Sequence, residues 1–257
     1  MGLISPKSPS TFQSILITGA AGGIGREVSL AYAEPGVHLF LGDTDAPRLE
    51  EVTAACREQG AAAHMTLVDV THRQEMAEWI LGVDAHRPLD LVISLAGISK
   101  GSIKREETFE DMRAVLAVNL EGMINTIEPI LPRFRERRKG QLALTSSYAG
   151  FRGLPVSPSY SATKAAIWVY GEGLRARVNR EGVGVSVIIP GFVKTPMTEA
   201  NPYFMPFRIS AERAAALIKR GLAYNKPRIR FPRPIPGVVY FLSLLPPTWI
   251  DRFVTLK

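Results

Sequence analysis

The stretch that decides the fold is Thr18–Gly25, which reads TGAAGGIG. It follows a short apolar run, Ser14–Thr18 (SILIT), that predicts a buried strand, and it opens a predicted helix over residues 24–33. Its glycines permit a tight turn and let the backbone approach a phosphate-bearing ligand, whose charge the helix N-terminus favours. Because many strand–helix turns use glycine for packing alone, this turn indicates a nucleotide site only together with its surroundings.

The next predicted strand, residues 37–41, leads to Asp43, which lies 18 residues after Gly25. A carboxylate at the end of the second strand accepts hydrogen bonds from both hydroxyls of an adenosine ribose and repels a 2′-phosphate. The alternative is an aspartate that serves a turn or a helix cap. Asp45 is the better candidate for the cap, because Ala46-Pro47 opens the next helix.

Strand and helix patterns alternate along the rest of the chain. Further strands are predicted at 63–68, 89–95, 141–145 and 183–189, and helices at 50–59, 74–81, 110–135, 160–180 and 210–222. The predicted strands are continuously apolar, which indicates burial on both faces, as in a parallel sheet flanked by helices. The sequence therefore predicts an α/β fold with a doubly wound sheet, which binds ligands at the carboxyl ends of its strands.

We predict one domain over residues 1–257, because no linker or internal repeat divides the chain. Residues 1–13 are predicted to be a loose arm, residues 196–225 a substrate flap followed by a helix with Ser210 as its cap, and residues 234–257 an apolar tail.

Composition excludes several classes of protein. Of the 257 residues, 46% are apolar, which is too many for a disordered chain. The single cysteine, Cys56, excludes an internal disulfide framework and, with four histidines, leaves little for a metal site, so we expect none. No apolar run of about 18 residues predicts a membrane-spanning helix, and the N-terminus lacks a secretory pattern. We therefore expect a cytoplasmic protein. The net charge of +7 favours nucleic acid only weakly, because no recognition motif accompanies it.

Tyr160 and Lys164 start a predicted helix, and their spacing of four puts both side chains on one face. A neighbouring ammonium group favours the phenolate, and an oxidised nicotinamide would add further positive charge. Together they are expected to move the pKa of the tyrosine from about 10 toward a value useful near neutral pH. Ser147, 13 residues before Tyr160, ends a predicted strand and could hydrogen-bond a carbonyl oxygen. Tyrosine and lysine at this spacing are common on helix surfaces, so the pair alone is weak evidence.

In order along some 180 residues, the chain contains TGAAGGIG, Asn119, Ser147, Tyr160-x-x-x-Lys164 and Pro190-Gly191. With this ordered set the chain resembles the short-chain dehydrogenase/reductase family, in its branch of single-domain subunits. The resemblance implies a Rossmann fold, a three-layer αβα sandwich around a mostly parallel seven-stranded sheet. It also implies oxidation of alcohols or reduction of carbonyls with NAD(H) or NADP(H).

The resemblance also assigns catalytic roles. Tyr160 would be the general acid and base toward the substrate oxygen, and Lys164 would lower its pKa and hold the nicotinamide ribose. Ser147 would orient the substrate oxygen and stabilise its developing charge. Asn119 would hold a water in a proton relay from Lys164 to solvent, whereas the alternative is a polar residue that satisfies a helix kink.

For the cofactor, the resemblance implies contacts along five further parts of the chain. Besides Tyr160 and Lys164, the implied cofactor-binding residues are Gly19, Gly23, Ile24 and Gly25 at the pyrophosphate, Asp43 at the ribose, Asp69 and Val70 at the adenine, Ala96 and Gly97 after the fourth strand, and Pro190, Gly191, Val193 and Thr195 around the nicotinamide. Relatives that prefer NADP carry a basic residue where this chain has Gly22 or Asp43. We therefore predict NAD(H), with NADP(H) as the alternative.

The chain departs from the family pattern in two places. Ser94-Leu95-Ala96-Gly97 replaces the usual Asn-Asn-Ala-Gly, so an asparagine that ties neighbouring strands is missing. Residues 228–231 are predicted to be the seventh strand, and the apolar tail after them replaces the usual ending. The tail either covers a protein surface or dips into lipid through Tyr240, Phe241, Leu244 and Leu245, with Arg228, Arg230 and Arg233 at anionic headgroups.

We predict an oxidoreductase that interconverts a secondary alcohol and a ketone on an apolar, lipid- or steroid-like substrate. The apolar residues expected near the cleft are Phe151, Leu154, Phe192, Met197, Phe204, Met205 and Phe207. The alternative is a protein that senses NAD(H), or binds a partner, and has lost turnover. By the resemblance, a homodimer or homotetramer would pair through the helices at 110–135 and 160–180.

Overall fold

The computed structural model describes residues 10–102, 105–199, 205, 207–232, 246 and 248. The strands are β1 Ser14–Thr18, β2 His38–Asp43, β3 Ala62–Leu67, β4 Leu91–Ser94, β5 Gln141–Thr145, β6 Gly184–Pro190 and β7 Arg228–Phe231. The helices are α1 Gly23–Tyr32, α2 Ala46–Glu58, α3 Arg73–His86, α4 Phe109–Leu116, α5 Gly122–Ile127, α6 Leu131–Arg137, α7 Pro158–Val178, α8 Pro196–Glu199 and α9 Ala211–Ala223.

The seven strands form one sheet in the order β3-β2-β1-β4-β5-β6-β7, and every pair of neighbours is parallel. Helices α1, α2 and α9 bury their apolar faces against one side of the sheet. Helices α3, α5, α6 and α7 cover the other side. The strand order reverses between β1 and β4, which opens a crevice at their carboxyl ends. The predicted doubly wound Rossmann sandwich is confirmed.

Local signals placed several elements correctly. Strands β5 and β7 have the predicted bounds, and Ser210 caps α9 by accepting a hydrogen bond from the Arg213 amide at 3.2 Å. Helix α2 begins at Ala46, as the Asp45 cap and the Ala46-Pro47 pair predicted, and so extends the helical pattern of residues 50–59 toward the N-terminus.

The prediction that all strands are continuously apolar is wrong for β3. This strand lies at the edge of the sheet, and within it Ala63 is buried while Ala62, His64, Met65 and Leu67 are exposed. An edge strand lacks a neighbour and full helical cover on one side, so it does not need an unbroken apolar run.

The predicted long helix at 110–135 is a broken one. A π-helical segment, Ala117–Glu121, separates α4 from α5, and a turn that contains Pro129 separates α5 from α6. By length and composition alone, the whole stretch Phe109–Arg137 could cross a membrane, contrary to the expectation from sequence. Half of its most apolar window is buried inside the protein, as in the core helices of globular folds.

The predicted loose arm is wrong for residues 10–13. The Ser10 amide donates to the Ala223 carbonyl oxygen at 2.7 Å, and the Phe12 ring packs edge-on against Tyr32. The first nine residues lie outside the described part of the chain, as do residues 200–204 of the predicted flap. The predicted apolar tail also lies outside it, apart from residues 246 and 248.

Candidate active site

The glycine-rich turn joins β1 to α1 at the crevice, and three of its positions exclude a side chain. Gly19 has a φ of +71°, and a Cβ there would lie 2.5 Å from the Ala96 amide nitrogen. A Cβ on Gly25 would lie 1.9 Å from the Gly19 carbonyl oxygen, and one on Gly23 would lie 2.7 Å from the Thr195 methyl group. The turn therefore packs backbone directly against the segments that follow β4 and β6.

No side chain caps the N-terminus of α1, and the same is true of α3, α5, α6 and α7. The N-cap residue of α1 is Gly22, and its first turn contains no acidic residue. Asp45, Thr108 and Ser210, by contrast, cap α2, α4 and α9. The amides at the start of α1 therefore present an electropositive backbone surface, which suits the pyrophosphate of a dinucleotide.

Asp43 ends β2 beside this turn. Its Oδ2 accepts a hydrogen bond from the Ala21 amide at 2.9 Å, so the carboxylate is tied to the glycine-rich turn itself. Its Oδ1 accepts from the amides of Thr44 and Asp45. Asp45 in turn caps α2 by accepting from the Arg48 amide at 3.2 Å, as predicted.

Two arginines near Asp43 are already paired with carboxylates. Arg26 contacts Glu27 and Glu51, and Arg48 contacts Asp45. The end of β2 is thus dominated by carboxylates, an arrangement that disfavours a further phosphate group.

Asp69 and Val70 follow β3 and are held by the protein. The Asp69 carboxylate accepts from the amide and the hydroxyl of Thr71, both at 2.8 Å. Val70 is buried against Gly122 of α5, and its carbonyl oxygen accepts from the Asn125 side chain. Both residues lie at the carboxyl ends of the strands, which is also the edge of the sheet where the glycine-rich turn follows β1.

The segment after β6 closes the other side of the crevice. The Gly191 amide donates to the Phe231 carbonyl oxygen at 2.8 Å, which fixes the end of β6 next to β7. Val193 is buried, and its carbonyl oxygen accepts from the Thr198 hydroxyl at 2.6 Å. The Thr195 amide donates to the same hydroxyl, so the segment reaches Gly23 in a well-bonded turn.

Tyr160, Lys164 and Ser147 converge. Ser147 lies beside the Tyr160 hydroxyl, and the Lys164 Nζ lies 5.4 Å from the centre of the Tyr160 ring. Lys164 is 4% exposed and donates to the Thr145 carbonyl oxygen at 2.9 Å. The Ser146 hydroxyl donates to the Lys164 carbonyl oxygen and so fixes that turn of α7 against the end of β5.

Burial controls the electrostatics of this group. It lowers the pKa of Lys164 to about 8 and raises the pKa of Tyr160, which the Ser147 hydrogen bond partly opposes. The expectation of a lowered tyrosine pKa is therefore not met in the protein alone. The physical reason is that desolvation disfavours the phenolate, while the ammonium group is directed at the Thr145 carbonyl oxygen.

Asn119 joins the group from the π-helical segment. Its Oδ1 accepts from the Ile98 amide at 2.8 Å, and its Nδ2 donates to the Ile98 carbonyl oxygen and to Thr163. Gly97 lies between Asn119 and Lys164, since a Cβ there would be 3.2 Å from Oδ1 and 3.4 Å from Nζ. The Asn119 side chain therefore ties the loop after β4 to α7.

Thr18 and Leu95 flank the junction between β1 and the loop after β4. Thr18 is paired with Ser94 across β1 and β4, and its hydroxyl is buried without a hydrogen-bond partner among the described residues. Leu95 instead packs against the apolar core.

The apolar side chains predicted near the cleft differ in their surroundings. Leu154, Met197 and Phe207 are exposed. Phe151 is engaged elsewhere, because its ring lies 4.0 Å from that of Trp168. Phe192 packs on the same small cluster, and Phe204 lies outside the described residues.

Sequence reasoning missed several residues that hold this site. Thr163 bonds Asn119, Ser146 bonds the α7 backbone, and the Thr145 carbonyl oxygen receives Lys164. Glu107, from the loop before α4, contacts the first turn of α7. Each contact joins residues that are distant in sequence, so local patterns do not predict it. Thr145 and Ser146 are the exception, because their position at the end of a predicted strand could have indicated a role at the site.

Comparison with known proteins agrees with this geometry. The family model described as short chain dehydrogenase matches residues 13–203. An uncharacterized oxidoreductase of Myxococcus xanthus is 32% identical over 242 residues, which is 94% of this chain and 96% of the relative.

Solved structures show the same fold. A 3-oxoacyl-[acyl-carrier protein] reductase from Brucella melitensis, with bound NAD, is 26% identical and aligns with a TM-score of 0.73 over 85% of this chain and 87% of its own. A short-chain dehydrogenase from Sphingobium yanoikuyae in complex with NADPH is 22% identical and aligns with a TM-score of 0.78 over 90% of this chain and 92% of its own.

Proposed function

This chain belongs to the short-chain dehydrogenase family of oxidoreductases, and from that membership we propose that it interconverts a secondary alcohol and a ketone with NAD(H). One observation carries the proposal: the Nζ of the buried Lys164 lies 5.4 Å from the centre of the Tyr160 ring, with Ser147 beside the phenol. A phenol, a second hydroxyl and an amine gathered at the carboxyl end of a parallel sheet suit proton transfer to and from a substrate oxygen.

The cofactor would lie with its pyrophosphate on the glycine-rich turn and its nicotinamide near Tyr160. When bound, it supplies the hydride donor and acceptor at the nicotinamide C4, and the oxidised form also adds positive charge, which favours the phenolate. Tyr160 would give its proton to the carbonyl oxygen during reduction and take it back during oxidation. Ser147 would donate a hydrogen bond to the same oxygen as its negative charge develops.

Lys164 would act on the proton that Tyr160 exchanges. With a pKa of about 8, its amine is mainly protonated near pH 7, and it stands beside the phenol ring. Asn119 would hold the loop after β4 in place through Ile98. Its proposed role is thus to position Gly97 against Lys164, and a water in a relay would need a different partner atom.

We propose that NAD(H) is preferred over NADP(H). The support is the carboxylate of Asp43, held against the glycine-rich turn where an adenosine ribose would lie. The neighbouring Arg26 and Arg48 are paired with carboxylates and so are poorly placed to receive a 2′-phosphate. Steady-state kinetics with NADH and NADPH side by side test the preference, and a higher kcat/KM with NADPH would contradict it.

An apolar substrate of lipid or steroid type is proposed from the exposed apolar side chains Leu154, Met197 and Phe207. Burial of such side chains against a substrate contributes about 25 cal/mol per Å² of apolar surface removed from water. A panel of ketones of increasing apolar size, followed by NADH absorbance, tests this. The proposal requires kcat/KM to rise with apolar size.

The substitution Tyr160→Phe tests the reaction itself. We expect kcat to fall by roughly 10²- to 10⁴-fold, because general acid–base catalysis contributes about that much, while the dissociation constant for NADH stays within a factor of about three. The matched control is Tyr170→Phe, which changes an exposed tyrosine on the same helix and should leave kcat unchanged.

The alternative function is a protein that senses NAD(H) without turnover. Wild-type protein that binds NADH but reduces no ketone in the panel would favour that alternative. A Tyr160→Phe variant with wild-type turnover would contradict the assigned role of the phenol.

We further propose a homo-oligomer paired through α4 and α7, on which Phe109 is 76% exposed and Val169 is 69% exposed. Cytoplasmic localisation stays a prediction. Peripheral contact with a membrane rests on the sequence of residues 234–257 and on the exposed Arg228 and Arg230 of β7. Absence of co-sedimentation with anionic vesicles at low salt would contradict it.

A further inference from the structure

The loop between β4 and α4 is joined to the start of α7 at several points. The Ser99 hydroxyl donates to the Ser157 hydroxyl at 3.2 Å. Gly101 has a φ of +79°, and a Cβ there would lie 2.2 Å from the Val156 carbonyl oxygen. The loop therefore lies against the residues that lead into the helix that carries Tyr160.

Glu107 makes the strongest of these connections. Its Oε2 accepts from the Ser159 amide at 3.1 Å, and its Oε1 accepts from the Ser159 hydroxyl and, at 3.4 Å, from the Ser157 hydroxyl. The helix does not supply these bonds itself. The Ser157 side chain makes no capping hydrogen bond, and the first turn of α7 contains no acidic residue.

A carboxylate suits this position for two physical reasons. The first amides of a helix lack partners within the helix, and the helix N-terminus attracts negative charge. Hydrogen bonds to an ionised acceptor are also roughly twice as strong as those between neutral groups. Among the described residues Glu107 takes part in no ion pair, so its charge is directed to the helix end.

We propose that Glu107 is a positioning residue for Tyr160, which it holds through the backbone of Ser159. The proposal rests on the function assigned to Tyr160 above. Ser159 directly precedes Tyr160, so the amide that Glu107 fixes belongs to the same turn as the phenol. Ser147 and Lys164 bond Tyr160 or flank its ring from the sheet side, whereas Glu107 holds this turn from the loop after β4.

The proposal has a matched pair of variants. Glu107→Ala removes all three hydrogen bonds, and Glu106→Ala removes an equal charge from the adjacent, exposed position. Glu107→Gln keeps one acceptor oxygen, so its exchange rates and its kcat should lie between those of Glu107→Ala and Glu106→Ala. Hydrogen exchange of the amides in residues 159–162 measures how firmly the first turn of α7 is held. Steady-state kinetics with a ketone and NADH measure catalysis.

We expect Glu107→Ala to speed exchange in residues 159–162 by about 10-fold or more while the rest of α7 stays protected. We expect kcat to fall roughly 10- to 100-fold, because small displacements of a reacting group cost about that much. The dissociation constant for NADH should change little, because Glu107 contacts α7 rather than the glycine-rich turn. Glu106→Ala should match the wild type in all three measurements.

Three results would overturn the proposal. The first is unchanged exchange in residues 159–162 of Glu107→Ala, and the second is faster exchange there with kcat equal to that of Glu106→Ala. A lower melting temperature with exchange raised along all of α7 would also contradict it, since that describes a general loss of stability. A wild-type protein without any dehydrogenase activity would overturn the proposed function, and the exchange measurement would still decide whether Glu107 holds the turn.

Discussion

Lys164 is a buried cation whose nearest described acceptor is a neutral carbonyl oxygen, that of Thr145. Burial lowers its pKa to about 8, from an ordinary value of 10.5. Between these two pH values the unfolded chain binds the proton and the folded protein does not. The contribution of Lys164 to stability is therefore least favourable below pH 8 and becomes more favourable as the pH rises toward 10.5.

The substitution Lys164→Met measures this effect. As the pH is raised from 7 to 10, we expect the free energy of unfolding of the cofactor-free wild type to gain about 2 kcal/mol relative to Lys164→Met. The comparison cancels groups that titrate equally in both proteins. Urea unfolding at several pH values provides the measurement, and a constant difference between the two proteins would mean that Lys164 is not desolvated.

At this scale the sequence predicted which residues meet but not how they are held. The spacing of Tyr160 and Lys164 put both on one helix face, because helical geometry is local. The bonds of Asn119 to Ile98 and of Glu107 to Ser159 join residues 21 and 52 positions apart, and no local pattern indicates them. Burial raises the pKa of Tyr160 in the protein alone, and no local pattern shows this, since burial depends on the whole fold.

Among the elements, α1 shows how closely a helix can be fitted to the turn before it. Gly25 is buried in its first turn, and a Cβ there would meet the Gly19 carbonyl oxygen at 1.9 Å. Backbone cannot give way as a flexible side chain can, so any side chain at this position displaces the glycine-rich turn.

The substitution Gly25→Ala should therefore destabilise the protein by about 3 kcal/mol, as overpacking does, and weaken NADH binding at least about 10-fold. Gly82→Ala in α3 is the control, because nothing lies within 4 Å of a Cβ at that position. It should stabilise the protein by about 0.5–1 kcal/mol, since alanine is the better helix former. Thermal unfolding and NADH fluorescence compare the two. Equal effects would show that the turn can shift freely.

The sequence predicted which segments are helices and strands, but it did not predict every irregularity within a helix or the exposure of every strand. Strand β5 and helix α9 follow apolar periods and a capping serine, which are local signals. Pro129 could have indicated the break after α5, because proline removes a backbone donor. The edge position of β3 and the π-helical segment depend on how neighbouring elements pack, so their sequences alone do not show them.

Taken as a whole, the molecule presents an apolar surface on two of its longest helical stretches. Phe109 starts α4 and Val169 lies midway along α7, and these helices contact each other. Large exposed apolar side chains on adjacent helices often mark a surface that another chain covers. The proposed homo-oligomer gives them that cover.

Val169→Lys tests the pairing of subunits. If α4 and α7 form the contact, a two-fold axis brings each lysine close to its copy, and we expect a shift to monomers that high salt partly reverses. Met65→Lys on the edge strand β3 places the same charge at a 38% exposed methionine and should leave the assembly intact. Light scattering during size exclusion gives the mass, and an unchanged mass for Val169→Lys would place the contact elsewhere.

The π-helical turn at Ala117–Glu121 carries one more residue than an ordinary helical turn would need. Deleting a single residue there would let the stretch relax into regular α-helix and would leave the residues on both sides of the deletion close to their present orientation. The core would lose little, since the apolar face could be recovered by a small twist. Asn119 would no longer meet Ile98. The extra residue of the π turn therefore orients the Asn119 side-chain amide, and the cost is one irregular turn in the helix.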